Sequence, residues 1–182
     1  MTKKSAILEA TLQLFSEMGY TGTSTRMIAT KSGVSEGLIF RHFKNKEGLL
    51  NVLLVDAEKE IASLYEPVLA LEHPKVFLKQ VLSVPFQING KNKILWRFLY
   101  THQWFEPQIH ELILQPLYTS VFDSFKTIGV SDPQSESETF LIFYKGLISH
   151  MLLNTNFNAF PVAEYILEKY SLLEICKYLL AI

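Results

Sequence analysis

Three basic side chains, Arg41, His42 and Lys46, lie close together in the chain and are candidates for holding phosphate. Lys46 stands where the first turn of a helix beginning after Asn45 is expected. Free backbone N–H groups at such a helix end favour an anion, whereas a lysine there opposes the helix dipole. A phosphate between the ammonium and the helix end reconciles the two, and an ordinary solvated lysine is the alternative. Upstream, Arg26 can bridge guanine O6 and N7, and Glu36 can either accept from cytosine N4 or repel phosphate. Thr25 can offer its hydroxyl and its N–H to a backbone phosphate.

The elements that must position these groups are legible in residues 23–50. Two short helices joined by a tight turn at Gly33 are expected, followed by the start of a third. Ser24, Ser35 and Asn45 can each cap a helix start. Ile28, Ala29, Val34, Ile39 and Phe43 are spaced to pack inward. The small and polar residues at 35–37 then face out with Arg41 and His42. This is the layout of a helix-turn-helix whose second helix enters the major groove of DNA. Before it, Ile7, Leu8, Leu14, Phe15 and Met18 form a helical stripe over about residues 3–18, stopped by Gly19.

Residues 3–50 resemble the tetracycline-repressor (TetR) family of bacterial transcription regulators. The matching run is Ile7-Leu8-x-Ala10, Leu14-Phe15-x-x-x-Gly19-Tyr20, Thr23-Ser24-x-x-x-Ile28-Ala29 and Gly33-Val34-Ser35-x-Gly37. It ends in Ile39-Phe40-x-His42-Phe43-x-x-Lys46-Glu47-x-Leu49. The resemblance implies base contacts from Arg26, Glu36, Gly37 and Leu38, with Gly37 allowing close approach and Leu38 meeting a thymine methyl. It favours phosphate contact for Lys46 and adds Ser35 and Phe40 to the DNA-facing set. Phe40 replaces the family's usual tyrosine and lacks the phosphate-binding hydroxyl, leaving it a van der Waals role. Ser32 replaces the usual alanine, and we attach no function to it.

Length and composition bound the rest. The chain has 182 residues, nearly half apolar, enough for a sizeable core. Only 8 Gly and 7 Pro argue for long helices, and the reading is all-α, about nine helices with no convincing strand. The single Cys176 excludes an internal disulfide and fits a reducing, cytoplasmic location. No leader or membrane span is expected. Net charge is −1, yet residues 1–49 carry seven Lys/Arg against four acids while the remainder carries ten against fourteen. The positive end is the end with the helix-turn-helix, as a phosphate-binding face requires. No nucleophile elbow, metalloprotease motif or phosphate-cradling loop occurs, and His102 and His110 lack further ligands at metal spacing. No enzyme activity, cofactor or metal is expected.

We therefore expect a helix-turn-helix domain over residues 1–47 and a helical body over 48–182. A fourth helix should run to about Tyr65, stopping before Pro67. Later helices are expected over about 74–88, 91–105, 107–128, 134–153 and 161–180. The resemblance implies an operator that is a near-palindrome, a homodimer through the last two of these helices, and a small-molecule effector. Phe140, Leu141, Phe143, Tyr144, Leu147, Ile148 and Met151 cover more than one face of the first dimer helix, and Ile166, Tyr170, Leu173 and Leu180 do so for the second. Trp96, Tyr100, His102, Trp104, Phe105, Tyr118, Phe122 and Tyr144 are the candidate effector contacts, a plain aromatic core being the alternative. The effector is expected to be largely apolar. Arg97 is the last arginine, so no strong anionic clamp is expected.

Overall fold

The structure is a computed structural model and describes residues 2–88, 90–101, 107–154 and 156–172. Among them are nine helices and no strand: α1 (Lys3–Gly22), α2 (Thr25–Ser32), α3 (Glu36–Phe43), α4 (Lys46–Leu69), α5 (Pro74–Gln87), α6 (Gly90–Thr101), α7 (Pro107–Ile128), α8 (Pro133–Leu153) and α9 (Phe160–Lys169). No helix among the described residues is long and apolar enough to cross a membrane.

The chain folds as two compact units. The first comprises Met1–Glu60 with Asn89–Glu106; the second comprises Ile61–Ile88 with Pro107–Ile182. Helix α4 contributes to both. Its Leu49, Leu50, Leu53 and Ala57 are buried in the first unit, and its Ile61, Tyr65 and Val68 in the second.

In the first unit α1 packs on α2 and α6. Ile7, Phe15, Ile28, Ile39 and Leu49 are fully buried, and Phe15 stacks on Phe98 of α6 at 5.8 Å between ring centres. Helix α1 breaks at Gly19 (φ 77°, ψ 165°), where only glycine is at ease, then makes one more turn. Met18, expected on the buried stripe, is exposed beside that break.

In the second unit α5 packs on α7 and α8. Phe125, Phe140 and Tyr170 form an aromatic trio with ring centres 4.9–5.9 Å apart. Tyr65 and Tyr144 share a buried hydroxyl–hydroxyl hydrogen bond of 2.6 Å. Burial pushes the Tyr65 hydroxyl well above its usual pKa; the bond to Tyr144 opposes that shift and neighbouring Tyr118 adds to it.

Two helix ends differ from expectation. Helix α4 continues through Pro67 to Leu69: the proline removes its own hydrogen bond, and the later bond from Ala70 N–H to Glu66 O is made. Helix α9 ends at Lys169, not near residue 180. Ser171 turns left-handed (φ 53°) and its N–H bonds Glu168 O, while the Leu172 N–H bonds Leu167 O. This is the Schellman closure with a serine where glycine is usual. Leu173 and Leu180, and the expected end of helix α6 near residue 105, lie outside the described residues.

Candidate nucleic-acid interface

Helices α2 and α3 are each only eight residues long, too short to persist alone, so caps and neighbours define them. The Ser24 hydroxyl accepts from Met27 N–H and starts α2. Gly33 (φ 68°, ψ 31°) closes it, with its N–H on Thr30 O and the Val34 N–H on Ala29 O. Ser35 occupies the cap position of α3 but makes no side-chain cap bond, contrary to expectation. Its exposed hydroxyl is thereby left for another partner. Asn45 does cap α4, accepting from Gly48 N–H at 2.8 Å.

Ile28, Ala29, Ile39 and Phe43 are buried and Val34 is half-buried, which turns the other side of both helices outward. Arg26, Arg41 and His42 are exposed, and the guanidinium groups of the two arginines have no hydrogen bond or ion pair among the described residues. Gly37 is exposed, and a Cβ there would meet nothing within 4 Å. The fold therefore does not require glycine at 37. Leu38 is half-buried and so only partly available to a base. Phe40 is 46% exposed, a large apolar ring standing out of the outward face.

Two members of the expected set are engaged within the protein. The Thr25 hydroxyl donates to Glu36 Oε1 at 2.6 Å, joining the starts of α2 and α3. The Lys46 ammonium donates to Tyr20 O at 2.9 Å and Thr23 O at 3.0 Å, and sits 4.2 Å from the centre of the Tyr20 ring. Lys46 thus satisfies carbonyls at the end of α1, which resolves its conflict with the α4 dipole without a phosphate. One of its three N–H groups remains for an outside acceptor.

The link from α3 to α4 is tight. Lys44 adopts φ 70°, ψ −52°, and the Asn45 N–H bonds Phe43 O at 2.9 Å, a γ-turn centred on a non-glycine residue. The Phe43 carbonyl also approaches Gly48, where a Cβ would come within 1.9 Å. Sequence reading assigned Gly48 no role; its place three residues after a capping asparagine was the available signal.

Residues 7–53 match the family model for bacterial regulatory proteins of the tetR family. The chain belongs to the TetR family of transcriptional regulators. The HTH-type transcriptional regulator YvkB of Bacillus subtilis (strain 168) is 47% identical over 60 residues, and the match spans 33% of this chain and 32% of that relative. The HTH-type regulator UidR of Escherichia coli (strain K12) is 22% identical over 162 residues, 88% of this chain and 81% of its own. Among solved structures, AibR in complex with isovaleryl coenzyme A and operator DNA superposes with a TM-score of 0.69 at 18% identity, covering 92% of this chain and 97% of that one. This last likeness is one of fold.

The candidate effector contacts of this TetR-family protein are not gathered into one unit. Trp96 and Tyr100 belong to the unit that holds the helix-turn-helix, where their rings stack at 6.3 Å between centres. Trp96 is buried, and its indole N–H has no acceptor. His102, Trp104 and Phe105 lie outside the described residues. Tyr118, Phe122 and Tyr144 belong to the second unit. There Tyr118 lies under the Lys145 ammonium at 4.9 Å, Phe122 is half-buried, and Tyr144 holds Tyr65.

Proposed function

We propose that this chain is a homodimeric, sequence-specific repressor, acting in the cytoplasm and released from a near-palindromic operator by a small apolar effector bound in the second unit. The observation that carries the reading is the outward face of α2 and α3. Unpaired Arg26 and Arg41, bare Gly37 and exposed Phe40 stand on one side of helices whose other side is core. A basic, close-approach face on two short helices suits a major groove. Ser35, His42 and the remaining Lys46 N–H would take phosphate. Thr25 and Glu36 would enter as a pair.

One such head reads few base pairs, so two copies are required. Helix α8 supplies a surface for the second. Ile142, 72% exposed, and Leu153, 49% exposed, lie on one face with Gly146 and Ser149 between them. On α9, Phe160 and Tyr165 are also exposed. An apolar stripe with small residues in its middle permits close helix–helix contact. Of the wide apolar arc expected to serve both a core and a partner, Phe140, Tyr144, Leu147 and Ile148 are buried within the second unit.

A response to a small molecule is supported by the AibR complex, which holds isovaleryl coenzyme A and operator DNA; release is our reading. Helix α4 carries the coupling, being the one helix whose buried face divides between both units. Effector binding that favours one placement of α4 shifts the population away from the DNA-competent state.

The test is fluorescence anisotropy against DNA from upstream of the chain's own gene, beside shuffled DNA, at roughly physiological salt. Preference for the upstream DNA by about a thousandfold or more is expected. Equal weak binding to both would replace the repressor with an architectural DNA-binding role, and no binding would reject both.

A further inference from the structure

Lys79 lies on α5, in the interior of the second unit. Its neighbours along the helix, Phe77, Leu78, Val81, Leu82 and Val84, are all buried. Lys79 itself is 5% exposed, and its Nζ is buried with no hydrogen-bond partner. An ammonium in that position carries a large desolvation cost unless a counter-charge meets it.

None of the acidic side chains described in the second unit supplies one. In the second unit Glu66, Glu72, Asp123, Glu138, Glu164 and Glu168 are exposed. Asp132 caps α8, and Glu136 is held by Lys169 and Tyr170. All three arginines of the chain belong to the first unit.

We infer that Lys79 is the counter-charge for the carboxylate of an apolar organic acid bound within the second unit. The inference rests on the effector reading above and specifies its chemistry. One ammonium with no arginine beside it matches a single negative charge, where a phosphate would call for a guanidinium fork. The apolar residues around α5 match the hydrocarbon remainder. A neutral effector would leave the ammonium uncompensated.

The test uses the full chain and isothermal titration with octanoate, dodecanoate and 4-phenylbutyrate, each beside its methyl ester. Wild type should bind at least one acid about tenfold or more tightly than its ester. Lys79→Met should bind that acid and its ester alike, with ester binding retained. Acid and ester binding equally to wild type would overturn the role of Lys79 and leave the effector reading standing. An acid preference that survives in Lys79→Met would place the counter-charge elsewhere and also overturn it. Binding of neither acid nor ester would reject the apolar effector and this inference with it. Lys79→Gln is the second variant; if neither variant folds by circular dichroism, the ammonium is a structural group and the inference fails.

Discussion

Thr25 and Glu36, eleven positions apart and on different helices, are joined by a 2.6 Å hydrogen bond from hydroxyl to carboxylate. The bond aligns the starts of the two reading helices. It also means that neither group can serve DNA without a cost to the other. A carboxylate held at that point repels phosphate and weakens binding to every sequence that gives it no donor.

Glu36→Gln keeps an acceptor for Thr25 and removes the charge. Binding to shuffled DNA should tighten by about two- to tenfold, with discrimination between sequences reduced and thermal stability nearly unchanged. Anisotropy on upstream and shuffled DNA at two salt concentrations measures this. Unchanged affinity for shuffled DNA would place the carboxylate away from the phosphates.

Lys46 predicts a stability effect in the absence of DNA. Lys46→Met leaves the carbonyls of Tyr20 and Thr23 without their charged donor. A loss of about 1–3 kcal/mol in urea unfolding is expected. Arg41→Ala, which removes no internal bond, should stay within about 0.5 kcal/mol. If Lys46→Met lowers DNA affinity and leaves stability untouched, the ammonium serves phosphate and not the end of α1.

The link between α3 and α4 makes opposite predictions at two neighbouring positions. Gly48→Ala drives a methyl group against the Phe43 carbonyl, 1.9 Å from the ideal Cβ, and should cost more than about 2 kcal/mol. Lys44→Gly relieves a left-handed residue and should stabilise by up to about 1 kcal/mol. Chemical denaturation of both variants decides the matter, and a stable Gly48→Ala would mean the turn has room to open.

A pH effect follows from Glu136, Lys169 and Tyr170. The Lys169 ammonium and the Tyr170 hydroxyl both donate to Glu136 Oε1, at 2.5 and 2.7 Å. Hydrogen bonding to Lys169 and then Tyr170 holds the Glu136 carboxyl below its usual range. The bond to Glu136 raises the Lys169 ammonium, and burial raises Tyr170. The lowered carboxyl stabilises the fold above the unfolded glutamate value and loses that effect as pH falls through the folded one. The raised ammonium and phenol stabilise it below their unfolded values and lose that effect as pH rises through the folded ones. Both partners are about a third exposed, so solvent screening keeps the total near 1 kcal/mol or less. Glu136→Gln should flatten the acid side of a stability-against-pH curve, and an unchanged acid side would show the triad to be energetically silent.

Chemistry that acts within a few residues was legible in the sequence. Gly33 and Gly129 announced two helix ends, and each closes the same Schellman pair of hydrogen bonds. The third such closure, at Ser171, carried no glycine to mark it. It sits where the Tyr170 ring packs on Phe125 and Phe140 and Leu172 is fully buried, contacts made by residues far apart in the chain. The outward face of α2 and α3 followed from spacing alone. What Lys46 and Glu36 bond within the fold did not, because Tyr20 and Thr25 reach them across a turn or a second helix. Lys79 stood among apolar neighbours in the sequence, and that mismatch was the available signal for a buried charge. Ile142 was passed over because its neighbours Phe140 and Tyr144 drew attention to the face that proves to be core.

The bond from Lys46 to Tyr20 spans 26 positions, and the whole helix-turn-helix lies between its two ends. The reading element is therefore a loop closed by a non-covalent clasp. Opening α2 or α3 widely releases chain length that the clasp otherwise restricts, so the clasp shortens the list of partly open states available to both. Amide hydrogens of Ile28, Ala29 and Ile39 should then exchange at one common rate, set by release of the clasp, as a single cooperative unit. With Lys46→Met, the two helices should exchange at separate rates. In this protein the head that would meet DNA is kept in one piece by a lysine bonded back to the end of α1.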